Sequence, residues 1–308
     1  MARSTSEGTG HCRRDWGGGM KGRRQKSEDR VPKTGVWARF LQSAFILLTL
    51  MLFGCAGNQR GAGIFAAPPV RAEDPFLPRI DNARQLFDDG LFDQARTAID
   101  ALITDGAAHP LIPLLRAKLA QQDEDWPTMV EWSRRAVLAD PGWTEPRVLL
   151  ATACMEVHRF VEADATFADI DRMAPTNAWG PYGRSWVAAR QQDMNRAIDL
   201  MDEGLRREPE FLPGLLLRAH LARWAGDKPR EEFCLRRAAA LGDPDPQQLA
   251  RLGDLADEAG RQLDAARLYE RSWALKHSRQ IARRRLELAR RANDAVAERL
   301  WSSRAGVP

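Results

Sequence analysis

Between Ala95 and Ala265 the chain returns to one kind of position every 34 residues, at Ala95, Met129, Ala163, Ala197, Glu231 and Ala265. A second ladder runs twelve residues ahead of it, through Ala83, Ala117, Ala151, Ser185, Ala219 and Gly253. A period of this length is the mark of stacked supersecondary units, each of which buries its apolar face only against its neighbours. Mostly small residues at fixed phase mark where two short antiparallel helices come closest. Met129 and Ser133 in the second unit and Glu231 in the fifth break the rule, so distortion is expected there. Five positions before the first ladder a turn is expected. Gly90, Gly226 and Gly260 stand there, with Glu124, His158 and Gln192 in the other units. Pro141, Pro175 and Pro209 close three successive units and Pro244 comes one residue late, where helices should end. Abundant Ala, Leu and Arg with only two tyrosines is a palette for helices rather than sheets.

This pattern resembles the tetratricopeptide repeat, with small residues at repeat positions 8 and 20, a large apolar residue near 24 (Ile99, Phe167, Met201, Leu235, Tyr269) and proline near 32. The resemblance implies an all-α solenoid of helix-turn-helix units, a right-handed superhelix, with six units over residues 76–277. After His277 the phase slips, and residues 278–308 read as a degenerate helix pair with its tail, capping the stack. Arg283, Arg284, Arg285, Arg290 and Arg291 on that cap read as a solvated face rather than a lipid-binding one.

In the repeat family, positions 2, 5, 9, 12 and 13 of the first helix line a concave groove. Counted back from Ala197, these include Trp179, Tyr182, Trp186 and Arg190, and the fifth unit adds His220, Arg223 and Trp224. The resemblance therefore implies an aromatic and basic groove that holds a peptide or protein partner, since flat rings and guanidinium groups suit such a ligand. A rival register stands beside it. Trp179, Tyr182, Gly183 and Trp186 also match the family's core signature, which would make the rings core and shift the fourth unit by two residues. The family's clamp for acidic chain ends needs Lys and Asn where this chain has Ile80 and Arg84, so chaperone-tail binding is not expected.

The N-terminal segment is of another kind. A basic stretch ends at Arg39, and "FLQSAFILLTLMLFG", Phe40–Gly54, carries no charge before Cys55. At 15 residues the apolar run is short for a membrane span, which needs about 20, and it reads as a signal peptide over residues 1–55. Leu52-Phe53-Gly54-Cys55 resembles the lipobox of bacterial lipoproteins, with Cys55 as the acylated residue and Phe53 a departure from the pattern. That resemblance implies an envelope protein held to a membrane by lipid, facing the periplasm from the outer membrane if the cell is Gram-negative. Residues 56–75, rich in Gly, Ala and Pro, form the tether.

Other classes fare poorly. Residues 1–55 hold 10 Lys/Arg against 4 Asp/Glu, leaving 36 against 38 for the rest, so the overall basicity gives no argument for nucleic acid. No Walker loop, GxSxG or HExxH is present, and Asp88, Asp89, Glu156 and Asp164 fall as a solvated helix face does. No enzyme activity, cofactor or metal site is expected. Cys154 and Cys234 read as buried thiols. The competing reading is a structural or self-associating envelope protein with an empty groove.

Overall fold

Fourteen helices follow one another in a computed structural model that describes residues 74–307, with no strand among them. All described residues belong to one unit, Ile46–Pro308. Cys55, the signal segment and the start of the tether lie outside the described residues.

The helices form seven antiparallel pairs: α1 (Leu77–Asp88) with α2 (Phe92–Thr104), α3 (Leu111–Gln122) with α4 (Trp126–Ala139), and α5 (Thr144–Glu156) with α6 (Phe160–Met173). Next come α7 (Trp179–Arg190) with α8 (Met194–Arg207), α9 (Leu212–Ala225) with α10 (Lys228–Leu241), and α11 (Pro246–Glu258) with α12 (Gln262–Leu275). The last pair is α13 (Arg279–Arg291) with α14 (Ala295–Ala305). Each helix packs on its successor, and alternate helices meet at α1 with α3 and α3 with α5. Those contacts join odd-numbered helices and place them on the inside of the curve. Helices α3, α5, α7 and α9 are buried over much of their circumference, whereas α4, α6 and α8 bury a single stripe and form the outer layer.

Both small-residue ladders lie in the core. Ala83, Ala117, Ala151 and Ser185 of one, and Ala95, Ala163, Ala197 and Ala265 of the other, are fully enclosed. The Ser185 hydroxyl donates to the Ala197 carbonyl at 2.7 Å, joining the two ladders at their crossing. At Gly253 an added Cβ would stand 2.6 Å from the Tyr269 ring, so the helix approach leaves no room for a side chain.

The turns repeat with the same phase. Gly90, Glu124, His158, Gln192, Gly226 and Gly260 all have positive φ, between 56° and 76°, and Asn293 continues the series one residue early. That early turn is the phase slip seen in the sequence. In several units an aspartate follows and caps the outer helix: Asp125, Asp193 and Asp227 accept from the backbone N–H of Thr128, Arg196 and Arg230. Left-handed backbone costs a side-chain-bearing residue about 1 kcal/mol more than glycine. Gln192 is exposed, so little burial offsets this. Gln192→Gly should therefore raise stability by about 0.5–1 kcal/mol, read as a higher thermal midpoint by circular dichroism, and Gly226→Ala should lower it by a similar amount.

Where distortion was expected, the atypical ladder residues are enclosed within regular helices. Met129 and Ser133 are accommodated with no exposure. Glu231 is also buried, and two arginines meet it from the flanking inner helices. The recurring Arg-small pair ties successive units together. Arg116 reaches Asp100, Arg184 reaches Asp164 and Arg218 reaches Asp202, each time on the outer helix of the preceding unit. Of the cap arginines, Arg284, Arg285, Arg290 and Arg291 are ion-paired with Asp254, Glu270, Glu298 and Asp257. Cys154 and Cys234 are free thiols, both buried, and burial pushes the Cys154 thiol up to about 12.

Candidate functional site

Helix α7 carries the aromatic stripe, and two glycines determine how it lies. A Cβ at Gly180 would come within 2.5 Å of the Asp171 Cβ, and one at Gly183 within 2.1 Å of the Phe167 ring. Their absence lets α7 settle directly on α6. Phe211, the residue before α9, then meets the stripe: its ring lies 5.0 Å from Trp179 and 5.4 Å from Tyr182, edge to face in both cases. Trp179 and Tyr182 are 5.7 Å apart, and Tyr182 and Trp186 are 6.4 Å apart.

The expectation of an open stripe is corrected by these positions. Trp179 keeps 8% of its surface exposed, and Tyr182 and Trp186 keep 3% each. Burial pushes the Tyr182 hydroxyl well above the usual phenol range. The 34-residue register is nonetheless retained, because Ser185 and Ala197 sit at the helix crossing as that register requires. Register and burial are therefore not alternatives: inner-face rings can be enclosed without any two-residue shift.

The basic residues divide in the same way. Arg190 donates to the Glu156 carboxylate at 2.8 Å, one whole repeat earlier, and is mostly buried. Arg223 donates from Nε to Glu231 Oε1 at 2.7 Å, and Arg251 reaches both oxygens of the same carboxylate at 2.7 Å. Burial alone would raise the Glu231 pKa, but the bonds from Arg251 and Arg223 together outweigh it and hold the carboxyl below its ordinary value. His220 lies beside this pair. Burial, with Arg223 nearby, lowers it to about 4, so the imidazole is neutral at physiological pH. Trp224, half exposed, is the accessible aromatic of the seven residues named from the sequence.

Of the acidic residues read as a solvated face, Asp88 and Asp89 are exposed, whereas Asp164 takes Arg184 and Arg196 and Glu156 takes Arg190. Among the described residues no cluster of His, Cys, Asp or Glu is arranged to hold a metal ion. No described helix is long and apolar enough to cross a membrane.

No protein-family model and no curated protein matches the sequence. Solved structures do. The crystal structure of PilW, titled a widely conserved type IV pilus biogenesis factor, is 18% identical with a TM-score of 0.55, over 66% of this chain and 94% of that one. A tetratricopeptide repeat protein from Parabacteroides merdae gives 11% and 0.53, over 82% and 94%. Pseudomonas aeruginosa pilF gives 15% and 0.52, over 73% and 96%. At these identities the likeness is one of fold, and the fold is the tetratricopeptide-repeat solenoid.

Proposed function

We propose that this chain is a scaffold, held to a bacterial envelope membrane through a lipid on Cys55, whose inner helical layer takes a protein or peptide partner during assembly of an envelope complex. The observation that carries the reading is the series of odd-numbered inner helices repeated through the stack, a surface suited to recognising an extended chain. The similarity of fold to PilW and pilF supports an envelope setting. Within the layer, Trp224 offers an exposed ring, a residue type enriched at binding hot spots. Trp179, Tyr182 and Trp186, buried on α7, hold the shape of the wall, with Arg190 and His220 as half-buried polar members. Chemistry on a substrate has no part in this reading, nor has a cofactor or nucleic acid.

Two measurements on the full chain test it. Cys55→Ser should move the protein from the membrane fraction to the soluble one, and retention in the membrane would remove the lipid tether. A photo-crosslinking residue in place of Trp224 should trap a protein partner in envelope preparations, and Trp224→Ala should weaken that partner's binding at least about tenfold with the thermal midpoint unchanged. Cross-links only to further copies of the same chain would favour the self-associating reading instead.

A further inference from the structure

Outer helices of adjacent units are tied by ion pairs at several joints. Arg134 of α4 meets Glu162 of α6, Arg196 of α8 meets Asp164 of α6, and Arg236 of α10 meets Asp264 of α12. The first and last of these are the same pair three repeats apart. Among the described residues no ion pair joins α8 to α10. Between those two helices lies a cavity of about 350 Å³, lined in part by Arg206, Arg218, Arg230 and Arg237.

Of these guanidinium groups, Arg218 alone has a carboxylate, donating to Asp202 at 2.7 and 3.2 Å. Arg206, Arg230 and Arg237 have no ion pair among the described residues. Arg230 instead lies over the Phe233 ring, 5.9 Å from its centroid. Phe233 is 51% exposed, and Leu205, Pro209 and Leu215 also line the cavity. Asp202 also lines the cavity, so the wall sets four guanidinium groups against one carboxylate and is left with an excess of positive charge. The wall is apolar as well as cationic, and the volume lies at the lower end of the range for ligand sites.

We propose that this cleft is a second binding site, on the outer layer, for an acidic peptide segment of a partner protein. Carboxylates of the segment would pair with Arg206, Arg230 and Arg237, supplying the counter-charge that the α4–α6, α6–α8 and α10–α12 joints hold internally. An apolar side chain of the same segment would lie on Phe233 and Leu205. The apolar wall distinguishes such a peptide from a free inorganic anion, which would use the guanidinium groups and leave the ring uncovered. The site is separate from Trp224 and stands whether or not the inner layer binds a partner.

The test uses the full chain in detergent with a fluorescein-labelled, end-capped hexapeptide alternating Glu and Leu, followed by anisotropy. Binding is expected, weakening as salt rises. The double variant Arg206→Ala/Arg237→Ala should weaken it at least about tenfold while the thermal midpoint holds, because both side chains lack structural partners. Phe233→Ser should also weaken it, and Trp224→Ala should leave it unchanged. Absence of binding at millimolar peptide overturns the proposal, as does equal binding by the double variant. Equal binding of the counterpart with Lys for Glu overturns it too. Displacement by inorganic phosphate at concentrations equal to the peptide's would make the cleft a site for small anions and overturn the assignment to a peptide.

Discussion

Trp186→Ala is expected to lower stability by about 3–5 kcal/mol, the cost of removing a large enclosed aromatic and leaving a cavity. Trp186 retains 3% of its surface and packs edge to face on Tyr182, which in turn packs on Trp179 and Phe211. Truncation therefore also loosens the contact between α7 and the start of α9. The measurement is a denaturant titration of the full chain and the variant, with the midpoint and slope both recorded. A loss under about 1 kcal/mol would mean that the ring is available to a ligand and would return the stripe to the role its repeat positions imply.

Glu231→Ala should cost about 3 kcal/mol. Removing one partner from a buried pair usually costs 3–5 kcal/mol. Here Arg223 and Arg251 keep 35% and 23% of their side-chain surface and can recover some hydration, which sets the value at the low end. Glu231→Gln preserves the shape but not the charge, and should lose most of the same amount. The pH dependence has a definite sign. The folded-state pKa of Glu231 lies below its ordinary value, so its contribution is complete above the unfolded carboxyl pKa and fades as pH falls through the folded one. The gap between wild type and Glu231→Gln should therefore be wide at neutral pH and close in acid. A gap that is constant across that range would show that the two arginines do not depend on the carboxylate's charge.

Much of the fold was legible because a repeat presents the same local problem several times. The turn positions were read from Gly90, Gly226 and Gly260, and the phase carried over to Glu124, His158 and Gln192, which adopt the same left-handed backbone. The early turn at Asn293 follows from the same series. The state of the aromatic stripe was less accessible. Repeat position tells which way a side chain leaves its own helix, but Phe211 belongs to the next unit and its approach depends on how closely α7 lies on α6. Gly180 and Gly183 were the signal for that closeness, and they make sense only once the facing atoms of Asp171 and Phe167 are known. At Glu231 a charged residue in a small-residue ladder was correctly read as an irregularity. The remedy came from Arg223 and Arg251, 8 and 20 residues away. The outer cleft was invisible in sequence, since arginines are common in the chain and only packing tells which of them are left without a carboxylate.

The outer joints of the solenoid differ in charge: some are spanned by an ion pair, and the one between α8 and α10 carries guanidinium groups without a carboxylate. In a stack whose contacts run mainly between neighbours, curvature is the sum of the angles at the individual joints, and each can bend without consulting distant ones. Arg134 with Glu162 and Arg236 with Asp264 span two such joints, each a surface pair worth at most about 1 kcal/mol. Between the fourth and fifth units the tie runs from inner to outer helix, Arg218 to Asp202, while Arg206, Arg230 and Arg237 on the outer side have no ion pair among the described residues. Counter-charge bound on the outer side would meet the same fifth unit whose inner helix, α9, carries Trp224.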